Sequence, residues 1–590
     1  MKLTKIRHTL SAVALAAVLA GCSASGGTTS TDTAAADSSA TVSEAVTASV
    51  GISVADALAT NVATTDDPAA ADYDEAAAVD VDLSADSTDA DGVAISDGTV
   101  TISAAGTYVL SGTLAGQVVV DTDGAVTLVL DGVDITSDST AALAVLDADS
   151  AVVVLADGST NSLADAAEYA SADDEASGAL YSAADLTITG TGELTVTGNA
   201  NDGIVSKDGL VVQSGTITVD AVDDGIRGKD LLVVRDGTIT VTAGGDGLKS
   251  DNAEDAAAGY VYVAGGTIDV TSGADGVQGT TDVIIGGGTL DVQAGGGSSQ
   301  TVADDGSAKG LKGDVSVVVG GGTVDVDAAD DAVHSNGAVS VSAGTLTLAS
   351  ADDGVHADTD LTIAGGSVTV SQSYEGLESA AITIAGGEVD VTASDDGVNV
   401  SDGSGSTGGP QGGGDSVQDT MLTISGGTLT VDSGGDGLDS NGSATMTGGT
   451  VTVSGPTDNG NGALDVNGTF EVSGGTLLAA GSSGMLVSPS TDSAQGWVSV
   501  VLDSAASAGD TVQVVAADGT VVASFTAAKD AASVVYSSAD ITAGQTYTVT
   551  VNGTQAGSAT AGEAAAGSGS GFGSGGGGGG GPMGGGRPNG

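Results

Sequence analysis

Acidic side chains return at a fixed spacing through the middle of the chain. The pattern of an acid, a glycine and an aliphatic residue starts at Asp202, Asp224 and Asp246, which are 22 residues apart, and it recurs later. If these segments stack as strands, the carboxylates lie about 4.8 Å apart and repel each other unless a cation separates them. Oxygen ligands on glycine-bent turns favour Ca²⁺. We therefore predict Ca²⁺ as cofactor, with ligands among Asp223, Asp224, Asp246, Asp251 and Asp275. The alternative is that Asp-Gly only forms turns.

Basic side chains follow the acidic positions by three residues. The chain has only 12 Lys and Arg, yet Arg227, Lys249 and Lys312 fall in this second column, together with His334 and His356. Facing outward, the column would hold a polyanion such as an acidic polysaccharide. The alternative is a salt-bridge ladder in which the bases only neutralise neighbouring aspartates. The predicted carbohydrate-binding residues are Arg227, Lys229, Lys249, Gln278, Lys312, His334 and His356.

The repeat that carries both columns predicts the architecture. A unit of about 22 residues cannot bury a core alone, so its aliphatic residues must pack on those of neighbouring units. Runs such as 216–219 and 238–241 alternate polar and β-branched residues with the period of a strand, and Gly, Asp and Asn separate them. A β-sandwich would not keep this spacing. We predict an all-β chain that forms a parallel β-helix with about 22 residues per coil.

Charge and the N-terminal segment limit the partners and the location. The net charge is −66, which excludes nucleic acid as a partner. The first 21 residues combine basic residues with an apolar run and end before Cys22, the only cysteine, in a sequence that looks like a bacterial lipobox. We predict that residues 1–22 are a lipoprotein signal peptide. Lipidation of Cys22 would anchor an extracellular protein to the membrane. We expect a monomer.

Composition divides the remainder of the chain. Residues 23–79 are rich in Ala, Ser, Thr and Asp and predict a disordered spacer. The parallel β-helix is expected at 80–490. Longer alternating strands at 491–560 predict a small C-terminal antiparallel β unit that covers the open end of the helix. Residues 561–590 are Gly-rich and predict a disordered tail.

Four motifs, at 201–204, 224–230, 245–250 and 307–312, resemble a known family. It consists of secreted bacterial carbohydrate-binding β-helices that are similar in fold to pectate lyases and bind calcium. The resemblance covers roughly residues 80–480. It implies a right-handed helix, Ca²⁺ binding and carbohydrate binding; the repeat spacing by itself establishes none of these.

Two other activities compete with carbohydrate binding. A calcium-dependent polysaccharide lyase of pectate-lyase type needs a base beside Ca²⁺, and Lys249 is the candidate. Surrounding acids raise the pKa of a lysine and so oppose this role. A non-enzymatic adhesin or stalk would use the same coils without a ligand site. Aromatic residues make up only 2% of the chain, which favours charged sugars over flat glucans as ligands.

Overall fold

The computed structural model describes residues 51–170, 176–303, 306–403 and 417–565. All of them belong to one compact unit, Ala48–Gly590. Within these ranges there is a single helix, Val54–Thr60, and every other regular element is a strand. Most strands join one large sheet in which each strand pairs in parallel with its counterpart in the next coil. The all-β class and the parallel stacking predicted from the repeat are confirmed.

Each coil contributes strands to three faces, which we number in chain order. The first face consists of Thr99–Ile102, Gln117–Asp121, Leu143–Asp147, Gly178–Ser182, Asp202–Ser206, Ile226–Gly228, Leu248–Ser250, Val277–Gly279, Leu311–Gly313, Val333–Ser335, the starts of Val355–Ile363 and Leu377–Ile384, Val398–Val400, Leu438–Ser440 and Leu464–Val466.

The second face follows the first after a short turn. It consists of Val79–Asp82, the starts of Gly106–Ala115 and Val126–Thr136, Ala151–Leu155, Leu186–Gly190, Gly209–Val212, Leu231–Val234, Tyr260–Val263, Asp282–Ile285, Ser316–Val319, Ala338–Val341, the ends of Val355–Ile363 and Leu377–Ile384, Met421–Ile424, Ser443–Met446 and Phe470–Val472.

The third face completes the coil. It consists of the ends of Gly106–Ala115 and Val126–Thr136, Thr160–Ala164, Glu193–Gly198, Thr216–Ala221, Thr238–Ala243, Thr267–Ser272, Thr289–Ala294, Thr323–Ala328, Thr345–Ser350, Ser367–Gln372, Glu388–Ala393, Thr428–Ser433, Thr450–Ser454 and Thr476–Gly481.

The register explains how the repeat builds one core. Ile204 pairs with Ile226, and Ile226 pairs with Leu248, so like residues stack on like. On the third face, Ile217 pairs with Ile239 in the same way. These aliphatic residues from all faces are fully buried in a continuous cluster, while the residues between them on each strand point away from it. Stacking therefore supplies the apolar contacts that one coil lacks.

Two glycine positions show different reasons for the same residue type. A Cβ at Gly225, in the first motif, would lie 2.2 Å from Cγ1 of Val241 and 2.6 Å from the carbonyl oxygen of Gly247. Only glycine lets the coils approach this closely. Gly266, in the turn before a third-face strand, has φ 92°, a conformation that disfavours side chains. The first glycine serves packing and the second serves the turn.

Antiparallel strands occur at both ends of the coil stack. Near its start, Val93–Ser96 pairs with Thr99–Ile102. Near its end, Ala531–Ser537 pairs with both Thr476–Gly481 and Trp497–Ala506. A separate four-stranded antiparallel sheet contains Thr511–Ala516, Val521–Thr526, Thr546–Val551 and Thr554–Thr560.

The segment before the coils differs from the disordered spacer predicted for residues 23–79. Its described part includes helix Val54–Thr60, which is capped by Ser53. We call residues 51–67 the strap. Its apolar residues pack against outward-facing residues of the second face, namely Val211, Leu231, Val233, Tyr260, Ile284 and Val318. That face is apolar on both sides over these coils, so it requires a cover, and the strap provides one.

Several predictions concern residues outside the described ranges. These are the signal peptide at 1–22 with Cys22, the spacer up to residue 50, and the tail beyond residue 565. The ranges that are described contain no helix with the length and apolar character needed to cross a membrane.

Candidate functional site

The first face aligns one outward residue from each coil into a column. Strand pairing places these residues side by side in the order Val205, Arg227, Lys249, Gln278, Lys312, His334, His356, Glu378, Asn399, Asp439 and Asp465. We call this set the central column. On either side of it, the aliphatic and small residues of each three-residue strand are mostly buried. The column is basic in its early coils and acidic in its later coils.

A column of buried aspartates runs beside the central column. We call Asp202, Asp224, Asp246, Asp275, Asp331 and Asp353 the ladder aspartates; all six are buried. One oxygen of Asp202, Asp224, Asp246, Asp275 and Asp331 accepts a backbone N–H from the next coil. For example, Asp246 N donates to Oδ1 of Asp224 at 2.9 Å, and Asp275 N donates to Oδ1 of Asp246 at 2.9 Å. These aspartates therefore hold successive coils together, a role close to the turn-forming alternative.

The second oxygen of the ladder aspartates binds the bases of the central column. Lys249 Nζ lies 2.9 Å from Oδ2 of Asp224 and 2.7 Å from Oδ2 of Asp246. Lys312 Nζ lies 2.8 Å from Oδ2 of Asp275. The predicted carbohydrate-binding bases thus neutralise buried carboxylates, as the salt-bridge alternative requires. A lysine ammonium occupies the space between Asp224 and Asp246, where Ca²⁺ was predicted.

The other predicted residues are less closely grouped. Arg227 binds Asp251 and also lies 3.4 Å from Asp202, so Asp251 serves a guanidinium. Asp223 is exposed at the turn before the first face. Gln278 stands in the central column, whereas Lys229 follows the strand Ile226–Gly228 and lies outside it. The structure therefore brings the column residues together and leaves Lys229 beside them.

The ion pairs fix the charge of Lys249. Burial alone would lower the pKa of this lysine, but the hydrogen bond and charge of Asp246, together with the charge of Asp224, outweigh burial and raise the pKa. A general base must lose its proton near the working pH. Lys249 is held in the charged form, which argues against the lyase mechanism that would use it as a base.

Histidines replace lysines in the next two coils of the central column. The rings of His334 and His356 are stacked, with centroids 5.0 Å apart and planes 20° apart. His334 Nδ1 lies 2.8 Å from Oδ2 of Asp331. His356 Nδ1 lies 3.1 Å from Oδ2 of Asp353 and 2.7 Å from Oε2 of Glu378. We call these five residues the histidine cluster.

Three groups of side chains have ligand atoms within 4.8 Å of one another and could hold a metal. Two belong to the histidine cluster, and the third is formed by Asp330, Asp331 and Asp352. These carboxylates were not among the metal ligands predicted from the sequence. The signal was present, because each histidine follows a ladder aspartate by three residues, and in the first face that spacing brings the two side chains together.

Later coils contain acids that lack basic partners. Within the described part of the chain, neither Asp396 nor Asp436 forms an ion pair with a base, and burial raises their pKa values to about 6 and about 7. A Cβ at Gly435 would lie 2.4 Å from Oδ1 of Asp395 and 2.4 Å from Oδ1 of Asp396, so glycine leaves space beside two carboxylates. We call Asp395, Asp396, Asp436 and Gly435 the acidic cradle.

An aromatic side chain borders the acidic cradle. Tyr374 is 48% exposed, and its hydroxyl is hydrogen-bonded to Asp395. This hydrogen bond, with the charge of Asp395, raises the pKa of Tyr374 to about 12. An exposed aromatic ring beside hydrogen-bonding carboxylates is a surface on which a sugar ring can stack.

A cavity of about 200 Å³ lies between the strap and the second face. Three carboxylates line it, those of Asp66, Asp185 and Asp230, together with apolar residues such as Val211 and Leu231. Asp66 also binds Arg235, with Oδ1 2.6 Å from a guanidinium nitrogen. The cavity is on a different face from the two columns.

Parts of this chain are similar to known proteins. Residues 96–354 match a family model described as carbohydrate-binding domain-containing protein. This segment includes the central column from Val205 to His334. The chain is also similar to a solved structure described as the polysaccharide lyase-like protein from C. thermocellum, gadolinium derivative, at 33% identity over 42% of this chain and 94% of that one, with a TM-score of 0.32. The comparison with curated proteins gives no match.

Proposed function

We propose that this protein binds carbohydrate through its parallel β-helix. The match of residues 96–354 to the carbohydrate-binding family model supports this. The in-register stack suits a polymeric ligand, because it presents similar polar side chains at each coil along one face. We also propose that the helix is right-handed, because connections between parallel strands of one sheet are right-handed in nearly all proteins. The proposed coil length is about 22 residues.

The ligand that we propose is an acidic polysaccharide held through Ca²⁺. The acidic cradle carries this part of the proposal. Its carboxylates are half-buried and have no basic partner among the residues that the structure describes, and Gly435 leaves room beside two of them. A hard cation with oxygen ligands relieves the repulsion between Asp395 and Asp396, and it can bind a sugar carboxylate at the same time. The exposed ring of Tyr374 gives the sugar a stacking surface next to the ion.

The bases of the central column can donate hydrogen bonds to the polysaccharide. An ammonium group has three hydrogens, and Lys249 uses two of them on Asp224 and Asp246. A third hydrogen remains for an oxygen of the ligand. Each of these bases already neutralises a buried carboxylate. The central column can therefore donate hydrogen bonds to the ligand, but it does not attract the ligand through a net positive charge.

The proposal places the protein at the cell surface. Cleavage before Cys22 and lipidation of that residue would attach the protein to a membrane, with the coils at 80–490 and the antiparallel unit at 491–560 outside the cell. These elements and the monomeric state rest on the sequence patterns described above. Mass spectrometry of the membrane fraction would detect a diacylated or triacylated Cys22 as the mature N-terminus.

A glycan array with Ca²⁺, repeated with chelator, tests the binding function. We expect retention of polygalacturonate or another polyuronate with Ca²⁺ and its release by chelator. The double variant Asp395→Asn, Asp396→Asn should lose this binding. The matched control, Asp269→Asn, Asp291→Asn, removes two exposed charges from adjacent coils of the third face and should retain it. Equal loss in both variants would trace binding to overall charge, and no binding to any glycan would overturn the proposal.

A further inference from the structure

The histidine cluster lies in the central column but differs in chemistry from the rest of it. Elsewhere a lysine or arginine, which stays charged, neutralises the ladder aspartates. In two coils the base is an imidazole, whose nitrogen can exchange its proton for a metal. We propose that His356 Nδ1, Asp353 Oδ2 and Glu378 Oε2 bind a divalent transition-metal cation of the Zn²⁺ class. This goes beyond the Ca²⁺ and carbohydrate binding proposed above.

The three ligand atoms are close to the separation that such a cation requires. Bonds of 2.0–2.2 Å from zinc to nitrogen and oxygen place neighbouring ligands about 3.0 Å apart in octahedral geometry and about 3.4 Å apart in tetrahedral geometry. His356 Nδ1 lies 3.1 Å from Asp353 Oδ2 and 2.7 Å from Glu378 Oε2. The cation can therefore enter with side-chain shifts of a few tenths of an ångström.

Partners outside the three ligands orient them as in known metal sites. The outer ring nitrogen of His356, Nε2, lies 3.2 Å from Oδ1 of Asp358. A hydrogen bond of this kind fixes the proton on Nε2 and directs the lone pair of Nδ1 inward, toward the metal. Glu378 is held by Asn399, whose Nδ2 lies 3.4 Å from Oε1 and leaves Oε2 turned to His356.

The charges around the site favour a divalent cation. Asp353 from the same coil, Asp331 from the coil before and Glu378 from the coil after lie close to His356, so negative charge exceeds positive charge there. Bringing two positive charges to this group relieves the repulsion between its carboxylates.

The neighbouring coil is less suited to a metal. Lys309 Nζ lies 2.6 Å from Oδ2 of Asp331 and 2.9 Å from Oδ1 of Asp330. Its positive charge occupies the place that a cation would take between Asp331 and His334. The site is therefore assigned to His356 with Asp353 and Glu378. His334 stacks on it without being a ligand.

The atoms that would bind the metal differ between this site and the acidic cradle. Nitrogen ligands together with carboxylates suit Zn²⁺, Co²⁺ or Ni²⁺, whereas Ca²⁺ prefers oxygen ligands alone. His334 and His356 are the only histidines of the chain besides His8. A histidine-dependent signal is therefore easily assigned.

The test is titration of the full-length, untagged chain with Zn²⁺ by calorimetry in the presence of millimolar Ca²⁺, and with Co²⁺ by visible absorption. We expect one Zn²⁺ per chain and cobalt absorption bands of nitrogen–oxygen ligation. Loss of an outer partner alone typically lowers metal affinity about 10- to 100-fold, so His356→Gln and Glu378→Gln should each lower it at least about 100-fold. Asp358→Asn should lower it about 10-fold.

His334→Gln is the matched control, because it changes the same residue type in the same column one coil earlier. Its Zn²⁺ affinity should stay within about threefold of the parent protein. All variants retain Cys22 and His8, so binding at those residues would survive in each of them. Circular dichroism checks that each variant keeps its strands. Absence of Zn²⁺ binding, equal binding in His356→Gln, displacement by Ca²⁺, or equal loss in His334→Gln would each overturn the assignment.

Discussion

Removing one lysine from the central column should destabilise the β-helix strongly. Lys249 binds two ladder aspartates, Asp224 and Asp246, whose side chains are only 6% and 9% exposed. Replacing Lys249 with Met keeps the length of the side chain and removes its charge. Breaking a buried ion pair costs about 3–5 kcal/mol, because the remaining charge stays buried. Lys249 is 22% exposed, so water reaches the site in part, and we expect a loss of about 3 kcal/mol.

Urea unfolding followed by circular dichroism measures this loss. The control is Lys529→Met, because Lys529 pairs with Asp432, which is 50% exposed, and an exposed pair contributes about 0–1 kcal/mol. Lowering the pH should narrow the difference between Lys249→Met and the parent protein. Burial raises the pKa of Asp246, and in the variant no lysine opposes this effect, so protonation of Asp246 removes an unpaired charge. Adding Asp224→Asn to the variant should restore part of the stability.

An equally small loss of stability in Lys249→Met and Lys529→Met would show that the buried ion pairs of Lys249 contribute no more than an exposed pair. A loss in Lys249→Met that grows as the pH falls would show that unpaired carboxylates are not its cause. Repeat proteins can unfold in stages, so the comparison uses the transition of the coils around residue 249 where more than one transition is resolved.

Three further predictions concern pH and packing. Burial lowers the pKa of His356, but hydrogen bonds to Asp353 and Glu378 outweigh burial and raise the pKa to about 11. Its contribution to stability is therefore complete below about pH 6.5 and is lost as the pH rises toward 11. Over that range, the thermal midpoint of His356→Gln should depend less on pH than the midpoint of the parent protein. The pKa of Asp436 is raised to about 7, so without Ca²⁺ this residue should lower the free energy of unfolding as the pH rises from about 4 to 7, and Asp436→Asn should make that fall smaller in a pH series of melts. Gly225→Ala would place a Cβ 2.2 Å from Cγ1 of Val241 and should lower the free energy of unfolding in urea by about 1–3 kcal/mol or more. The control Thr240→Ala changes an exposed residue and should alter this free energy by less than about 0.5 kcal/mol.

The sequence predicted the stacking well because stacking depends on a local, repeated pattern. An aliphatic residue such as Ile226 has the same inward environment in each coil, so its spacing alone reveals the parallel register. The outcome for Lys249 was less predictable. Its position in the column followed from the spacing, but whether its ammonium points to solvent or turns to Asp224 depends on distances across coils that a sequence does not give.

The strap was missed for a related reason. Ile52, Val54 and Leu58 are few apolar residues in a polar segment, and such a composition is typical of disorder. Their partners, such as Val233 and Tyr260, lie about 200 residues away along the chain. Only the folded second face shows that these residues need a cover.

The strap also sets an order of events during folding. The N–H of Ile52 bonds to Oγ of Ser340, 288 residues later, and the hydroxyl of Tyr260 bonds to the carbonyl oxygen of Val62, 198 residues away. The Ile52 contact cannot form until the coils up to the strand Ala338–Val341 are in place, and the Tyr260 contact requires the coils up to Tyr260–Val263. Coil pairing joins residues about 22 apart and needs only short loops to close, so it can proceed from any nucleated coil. The strap therefore docks late although it is made early, and until it docks, the apolar residues of the second face stay exposed to other chains.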